Sequence, residues 1–172
     1  MKVSITKKTI NEPVSIEDAK SFLRVDDPYE DVTIGAIIQA ARDFAESYTA
    51  RKFLNNEVTA TIDKADQNEF FTLPYGENIT ISEIKSNGVA LKSSEYTLEL
   101  NELKFKKAYK NLVVKYVVGY GSDSESVPAG IKHAILMLVG ALYEQRADLT
   151  FNLNVQTSPI TSRFLLNPHR LF

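Results

Sequence analysis

Only His133 and His169 could serve as imidazole bases in this chain, and neither stands in a nucleophile motif. His133 lies between Ile131 and Ile135 in a helical pattern, where a structural or surface histidine is the expected reading. Gly119-Tyr120-Gly121 follows a strand-like run, but it lacks the third glycine of a dinucleotide loop and reads as a strand-ending turn. Asp26, Asp27, Glu30 and Asp31 are hard-cation ligand types; at the start of a helix they are expected instead to complement its positive end. Lys104, Lys106, Lys107 and Lys110 interleave with Phe105 and Tyr109, a mixture that could hold phosphates and stack bases. Lysines in such a place more commonly protect an exposed sheet edge, and that reading is preferred. With no cysteine, thiolate metal sites, disulfides and a cysteine nucleophile are excluded. Asn78-Ile79-Thr80 matches a glycosylation acceptor by chance, since no secretion signal accompanies it. The residues therefore assign no catalytic group, no metal ligand and no cofactor.

What remains is architecture. A chain of 172 residues, 44% hydrophobic and 24% charged, is expected to bury a real core as one domain with an insertion or as two small lobes. Its start lacks the apolar core of a signal peptide, and the longest apolar run, Ala134 to Leu142, is nine residues. The expectation is a protein assembled inside a cell, without membrane. A net charge of −2 argues against wholesale nucleic-acid binding. The charge is uneven, however: Glu12 to Asp31 holds seven acids and two bases, whereas Val127 to Phe172 holds four bases and two acids. Solvated surfaces are the simpler explanation; the sharper one is that the acidic start of one subunit faces the basic end of a neighbour.

Ser15 is a good N-cap with Asp18 three residues on, and Ile16, Ala19, Phe22 and Leu23 share a face. That helix should stop near Asp26-Asp27-Pro28, and a second should restart with Asp27 as cap and Pro28 in its first turn. Ile34, Ile37, Ile38, Ala41, Phe44, Ala45 and Tyr48 recur at threes and fours, predicting one buried stripe. From Glu57 the period changes to two. Strands are predicted at Val58–Asp63, Glu69–Leu73, Ile79–Ile84, Tyr96–Leu98, Leu103–Phe105 and Val113–Val118, with Asn87-Gly88 the clearest hairpin turn. Pro128 opens a third helix with Ile131, Ile135, Leu138, Val139 and Leu142 toward the core. Gly140 inside it, costing about 1 kcal/mol against alanine, implies close packing on another helix. Asp148 to Ser158 has few structure signals, and a short last helix is expected over Ile160 to Leu166. The expected fold is α+β: a helical lobe of three to four helices, residues 1–56 and 127–172, interrupted by a small antiparallel β insert, residues 57–126.

Four segments carry a resemblance. They are Glu12-Pro13-Val14-Ser15-Ile16-Glu17-Asp18-Ala19, Tyr48-Thr49-x-Arg51, Val127-Pro128-x-x-Ile131-Lys132-x-Ala134-Ile135-Leu136, and Leu165-Leu166-x-Pro168-x-Arg170. In this order and spacing they resemble the head–tail connector (adaptor) proteins of long-tailed bacteriophages, in particular larger members with a β-rich insert. The resemblance covers both helical blocks, roughly half of the chain, and says little about residues 57–126. It implies a structural virion protein of the neck, assembled in the bacterial host cytoplasm. It also implies a ring of about a dozen subunits beneath the portal protein. Such a ring would extend the DNA channel without reading sequence, and dock a downstream neck or tail-completion protein. The family has no catalytic residue to carry over. The alternative is a bacterial ligand- or protein-binding module that uses the β insert.

The tail is where partner contact is expected. Arg163, Phe164, Leu165, Leu166, His169, Arg170, Leu171 and Phe172 mix apolar anchors with arginine and include no acid. The competing expectation is that Phe164 and Leu165 simply cap the helical lobe.

Overall fold

Period-two sequence builds an antiparallel unit from residues 1–10 and 51–122 of the computed structural model, which describes residues 1–76, 78–145 and 161–171. Its strands are β1 (Lys2–Lys7), β2 (Asn56–Ala65), β3 (Phe70–Thr72), β4 (Ile79–Ser86), β5 (Val89–Ala90), β6 (Tyr96–Glu99), β7 (Glu102–Phe105) and β8 (Tyr109–Val118). One sheet runs β1-β2-β8-β4-β5 and the other β3-β7-β6, with every neighbour antiparallel. Register puts Val58, Ala60 and Ile62 of β2 opposite Tyr116, Val114 and Leu112 of β8, and all six are buried. Leu103 and Phe105 of the second sheet join the same core. The predicted hairpin is present: Asn87 and Gly88 both take positive φ, 49° and 84°, between the paired ends of β4 and β5.

Three expectations change in this unit. Residues 1–10 do not join the helical lobe; β1 pairs with β2, and Val3 and Ile5 pack on the core while Lys2, Ser4 and Thr6 face out. The expected division into 1–56 with 127–172 against 57–126 therefore gives way to one in which the first ten residues belong to the sheet. The two lysines of the cluster that lie on strands, moreover, guard no edge. Lys104 sits on β7, the middle strand of its sheet, and Lys110 on β8, an interior strand of the other. Nor is Phe105 available to stack on a base, because it is fully buried against Phe71 and Tyr109.

Tyr116 lies at the centre of this core, and its hydroxyl is buried without a hydrogen-bond partner among the described residues. Burial drives its ionisation far above the ordinary tyrosine range. Tyr116→Phe removes an unsatisfied polar atom and keeps the ring, so stability is expected to rise by about 1 kcal/mol. Urea unfolding of the two proteins checks this; a clear loss of stability in the variant would show that the hydroxyl is satisfied.

The helical unit comprises residues 11–50 and 123–172. Its helices are α1 (Ile16–Leu23), α2 (Asp31–Thr49), α3 (Ala129–Glu144) and α4 (Ser162–Leu166). Ser15 Oγ accepts from the Asp18 amide at 3.0 Å, the cap expected from sequence. α1 ends earlier than expected, at Leu23, because Arg24 adopts a left-handed conformation and returns its amide to the last turn. Asp27 and Pro28 then open a 3-10 turn, Pro28–Glu30, that leads into α2; Asp27 Oδ1 accepts from the Tyr29 amide at 2.9 Å. Ile34, Ile38, Ala41 and Ala45 form the buried stripe of α2, facing Ile131, Ala134, Ile135 and Val139 of α3. Gly140 does face another helix: a Cβ there would stand 3.3 Å from Phe22 Cε1 of α1. Phe22, Phe44 and Leu142, expected on core faces, are substantially exposed. Among the described residues no helix is long and apolar enough to cross a membrane.

Candidate assembly surfaces

The residue types singled out for chemistry are drawn into structure. His133 is exposed, with its ring edge-on to Phe22. The Gly119-Tyr120-Gly121 turn returns onto the segment before β2, with the Tyr120 amide donating to Phe53 O at 3.0 Å and the Asn55 amide to Gly121 O at 2.8 Å. Asp31 pairs with Lys20 at 2.7 Å, and Asp27 caps the turn before α2. Among the described residues no group of three or more His, Asp or Glu side chains is placed to hold a metal ion.

The tail is built on α2 and α3. Thr161 Oγ1 accepts from the Phe164 amide at 3.2 Å, which caps α4. Leu166 is fully buried, and beyond it the Leu171 amide donates to Thr49 O at 2.9 Å. The Tyr48 hydroxyl donates to Asn167 Oδ1 at 2.6 Å, tying the end of α2 to the turn Asn167–His169. Arg163 and Arg170 approach the Tyr48 ring with guanidinium carbons 5.9 and 5.7 Å from its centre, and Phe44 stacks in parallel beside it. Phe44 and Phe164 remain 41% and 59% exposed. The result is an aromatic–arginine patch, the composition that dominates binding energy at protein interfaces.

Of the tail residues expected to face a partner, Arg163, Phe164 and Arg170 are exposed, whereas Leu165, His169 and Leu171 are half-buried. Leu166 is a correction: with no accessible surface it completes the core of its own unit. Phe172 lies outside the described residues. Phe44 and Tyr48 are the additions. Sequence placed them in the buried stripe, yet Phe44 lies ten residues beyond Ile34, which at about 100° per residue is roughly 80° off the stripe's axis. Their position at its margin was the available signal.

The opposite end of α2 carries a different surface. Tyr29 and Val32 are 92% and 86% exposed, beside the exposed acids Asp26 and Asp27. Nearer the core, Glu12 Oε2 and Arg42 Nε stand 2.9 Å apart, both atoms buried and neither in an aligned hydrogen bond. Burial raises the Glu12 carboxyl above its usual value, against the opposing charge of Arg42. Folding therefore favours the protonated form. The contribution of this group to stability is greatest below the ordinary glutamate pKa and falls as pH rises through the raised one. Carboxyl-carbon NMR titration is expected to place Glu12 above the exposed glutamates, and Glu12→Gln to flatten the pH dependence of unfolding in that window. A Glu12 midpoint at or below theirs would contradict the buried pair.

The profile of the head completion protein family matches residues 12–166. No curated protein sequence matches the chain. Among solved structures, a chain in the neck of an empty gene transfer agent particle, computed with C6 symmetry, has a TM-score of 0.80 at 14% identity, covering 100% of this chain and 96% of that one. A chain in the virion of the native particle has a TM-score of 0.78, and one in its neck computed with C12 symmetry 0.77, at the same identity and coverage. At that identity the likeness is one of fold, and it extends over both units.

Proposed function

The chain belongs to the head completion protein family, and from that premise we propose that it is a head–tail connector of a phage or phage-like virion. It forms a ring beneath the portal, extends the DNA channel and docks the next neck or tail protein. The observation that carries this reading is the family match itself, which runs from residue 12 to 166, through the helices and through every strand after β1. Such continuity disfavours the alternative of a separate ligand-binding module in residues 57–126. The role is structural, without a reaction, and places the protein in the virion neck after assembly in the host cytoplasm. C6 and C12 symmetry in the neck structures of like fold supports a ring of about twelve copies. A net charge of −2 suits a channel through which DNA must slide. The exposed tail residues Arg163, Phe164 and Arg170 are the proposed partner contacts, with Leu165, His169 and Leu171 supporting them.

Mixing the purified chain with the portal of its own genome tests the assignment. Closed rings seated on the portal are expected by electron microscopy. No binding to that portal, at low and at physiological salt, would overturn it.

A further inference from the structure

We infer that the aromatic–arginine patch at the C-terminal end of α2 is a socket for the acidic corner at the N-terminal end of α2 in a second copy of this chain. The inference rests on the ring reading above and deepens it by naming the two surfaces that join neighbours. Both surfaces belong to the helical unit.

The socket is preorganised. Tyr48 is held through its hydroxyl by Asn167, Phe44 stacks on one side, and Arg163 and Arg170 approach the ring. Among the described residues no carboxylate pairs with either guanidinium, and residues 161–171 contain no acid. Two cations beside exposed Phe44 and Phe164 suit an occupant that is apolar and acidic together.

The corner has that chemistry. Tyr29 and Val32 project almost fully into solvent beside Asp26 and Asp27. The turn that presents them is rigid, because Pro28 fixes its backbone and Asp27 caps it. Tyr29 offers a large, two-torsion anchor that loses little entropy on docking. Asp26 and Asp27 supply the sign of charge that the socket lacks.

Geometry decides how the two can meet. Val32 and Phe44 are twelve residues apart on one helix, roughly 18 Å along its axis and about 120° around it. A chain cannot bring its own corner to its own socket without breaking α2. Contact must therefore be between copies, and in the ring proposed above it is head-to-tail, a heterologous interface that closes when the rotation per copy allows. An open array leaves one socket and one corner unfilled, and closure removes both.

The chain has no cysteine, so introduced thiols are the sole reactive ones. Full-length Val32→Cys/Phe164→Cys, assembled on the portal and oxidised, is expected to give a ladder of disulfide-linked multimers on a non-reducing gel. Neither single variant should give one. Arg170→Glu, or Asp26→Arg, is expected to lower ring yield at least about tenfold through like-charge juxtaposition, and the two together to restore it. All four side chains are exposed, so unfolding midpoints verify that the variants fold. Wild-type rings without a ladder, and with full yield in Arg170→Glu, would overturn the inference while leaving the connector reading intact. A ladder unaffected by Arg170→Glu, with portal binding lost instead, would assign the socket to the portal and overturn it equally. Absence of wild-type rings would overturn the connector reading, and this inference with it.

Discussion

Replacing Leu166 with alanine is expected to destabilise the helical unit by roughly 2–5 kcal/mol, the range for truncating a large buried aliphatic residue and leaving a cavity. Leu166 has no accessible surface and ends a five-residue helix that is held at its start by Thr161 and, beyond its end, by the Leu171–Thr49 hydrogen bond. Little else in the tail can collapse into the space. Arg163→Ala and Arg170→Ala should each cost no more than about 1 kcal/mol, the scale of an exposed cation–π contact, while ring assembly is lost. Urea unfolding followed by circular dichroism separates the cases. A Leu166→Ala midpoint close to wild type, or an arginine variant as unstable as Leu166→Ala, would contradict this division of the tail into anchor and contact.

That division also marks the limit of what could be read from residues alone. Local chemistry was legible: Ser15 caps α1, Asp27 and Pro28 open the turn into α2, Asn87-Gly88 turns a hairpin, and Gly140 meets another helix. Each depends on neighbours within a few positions or on a single backbone requirement. The resemblance in the helical blocks led to the family, and the α+β class followed from the change of period near Glu57. Strand β1 was not legible, since its evidence is Val3 and Ile5 alone and its partner lies more than fifty residues away. Local alternation marks Lys104 as a strand residue but cannot tell an edge strand from a middle one, because strand order, unlike strand identity, leaves no trace in it. In the tail, a helix of five residues is too short for periodicity, so Leu165 and Leu166 looked alike although only Leu166 is buried fully. Phe44 departs from the expected core face for a related reason: the margin of an apolar stripe is where core and interface share the same residue types.

A comparable loss is expected in the β unit from a position that sequence read simply as the end of a strand. Gly119 takes φ 134°, a conformation that side chains rarely adopt, and the backbone of Leu54 and Asn55 closes over it. A Cβ on Gly119 would stand 2.5 Å from Leu54 C, 2.6 Å from Leu54 O and 2.7 Å from Asn55 N. No flexible side-chain tip is there to move aside. The contacted segment is pinned on both sides, by the Asn55–Gly121 and Tyr120–Phe53 hydrogen bonds, and Leu54 is itself buried. Gly119→Ala must therefore distort two backbone segments at once. Backbone strain of about 1–3 kcal/mol and overpacking of similar size together predict a loss of roughly 2–6 kcal/mol. Gly88→Ala is the control: its φ is also positive, but open space surrounds it, so only the conformational part of the cost should appear. Unfolding midpoints of the two variants measure the difference. Equal, small losses at both glycines would show that the approach of Leu54 to Gly119 does not hold the end of β8 in place.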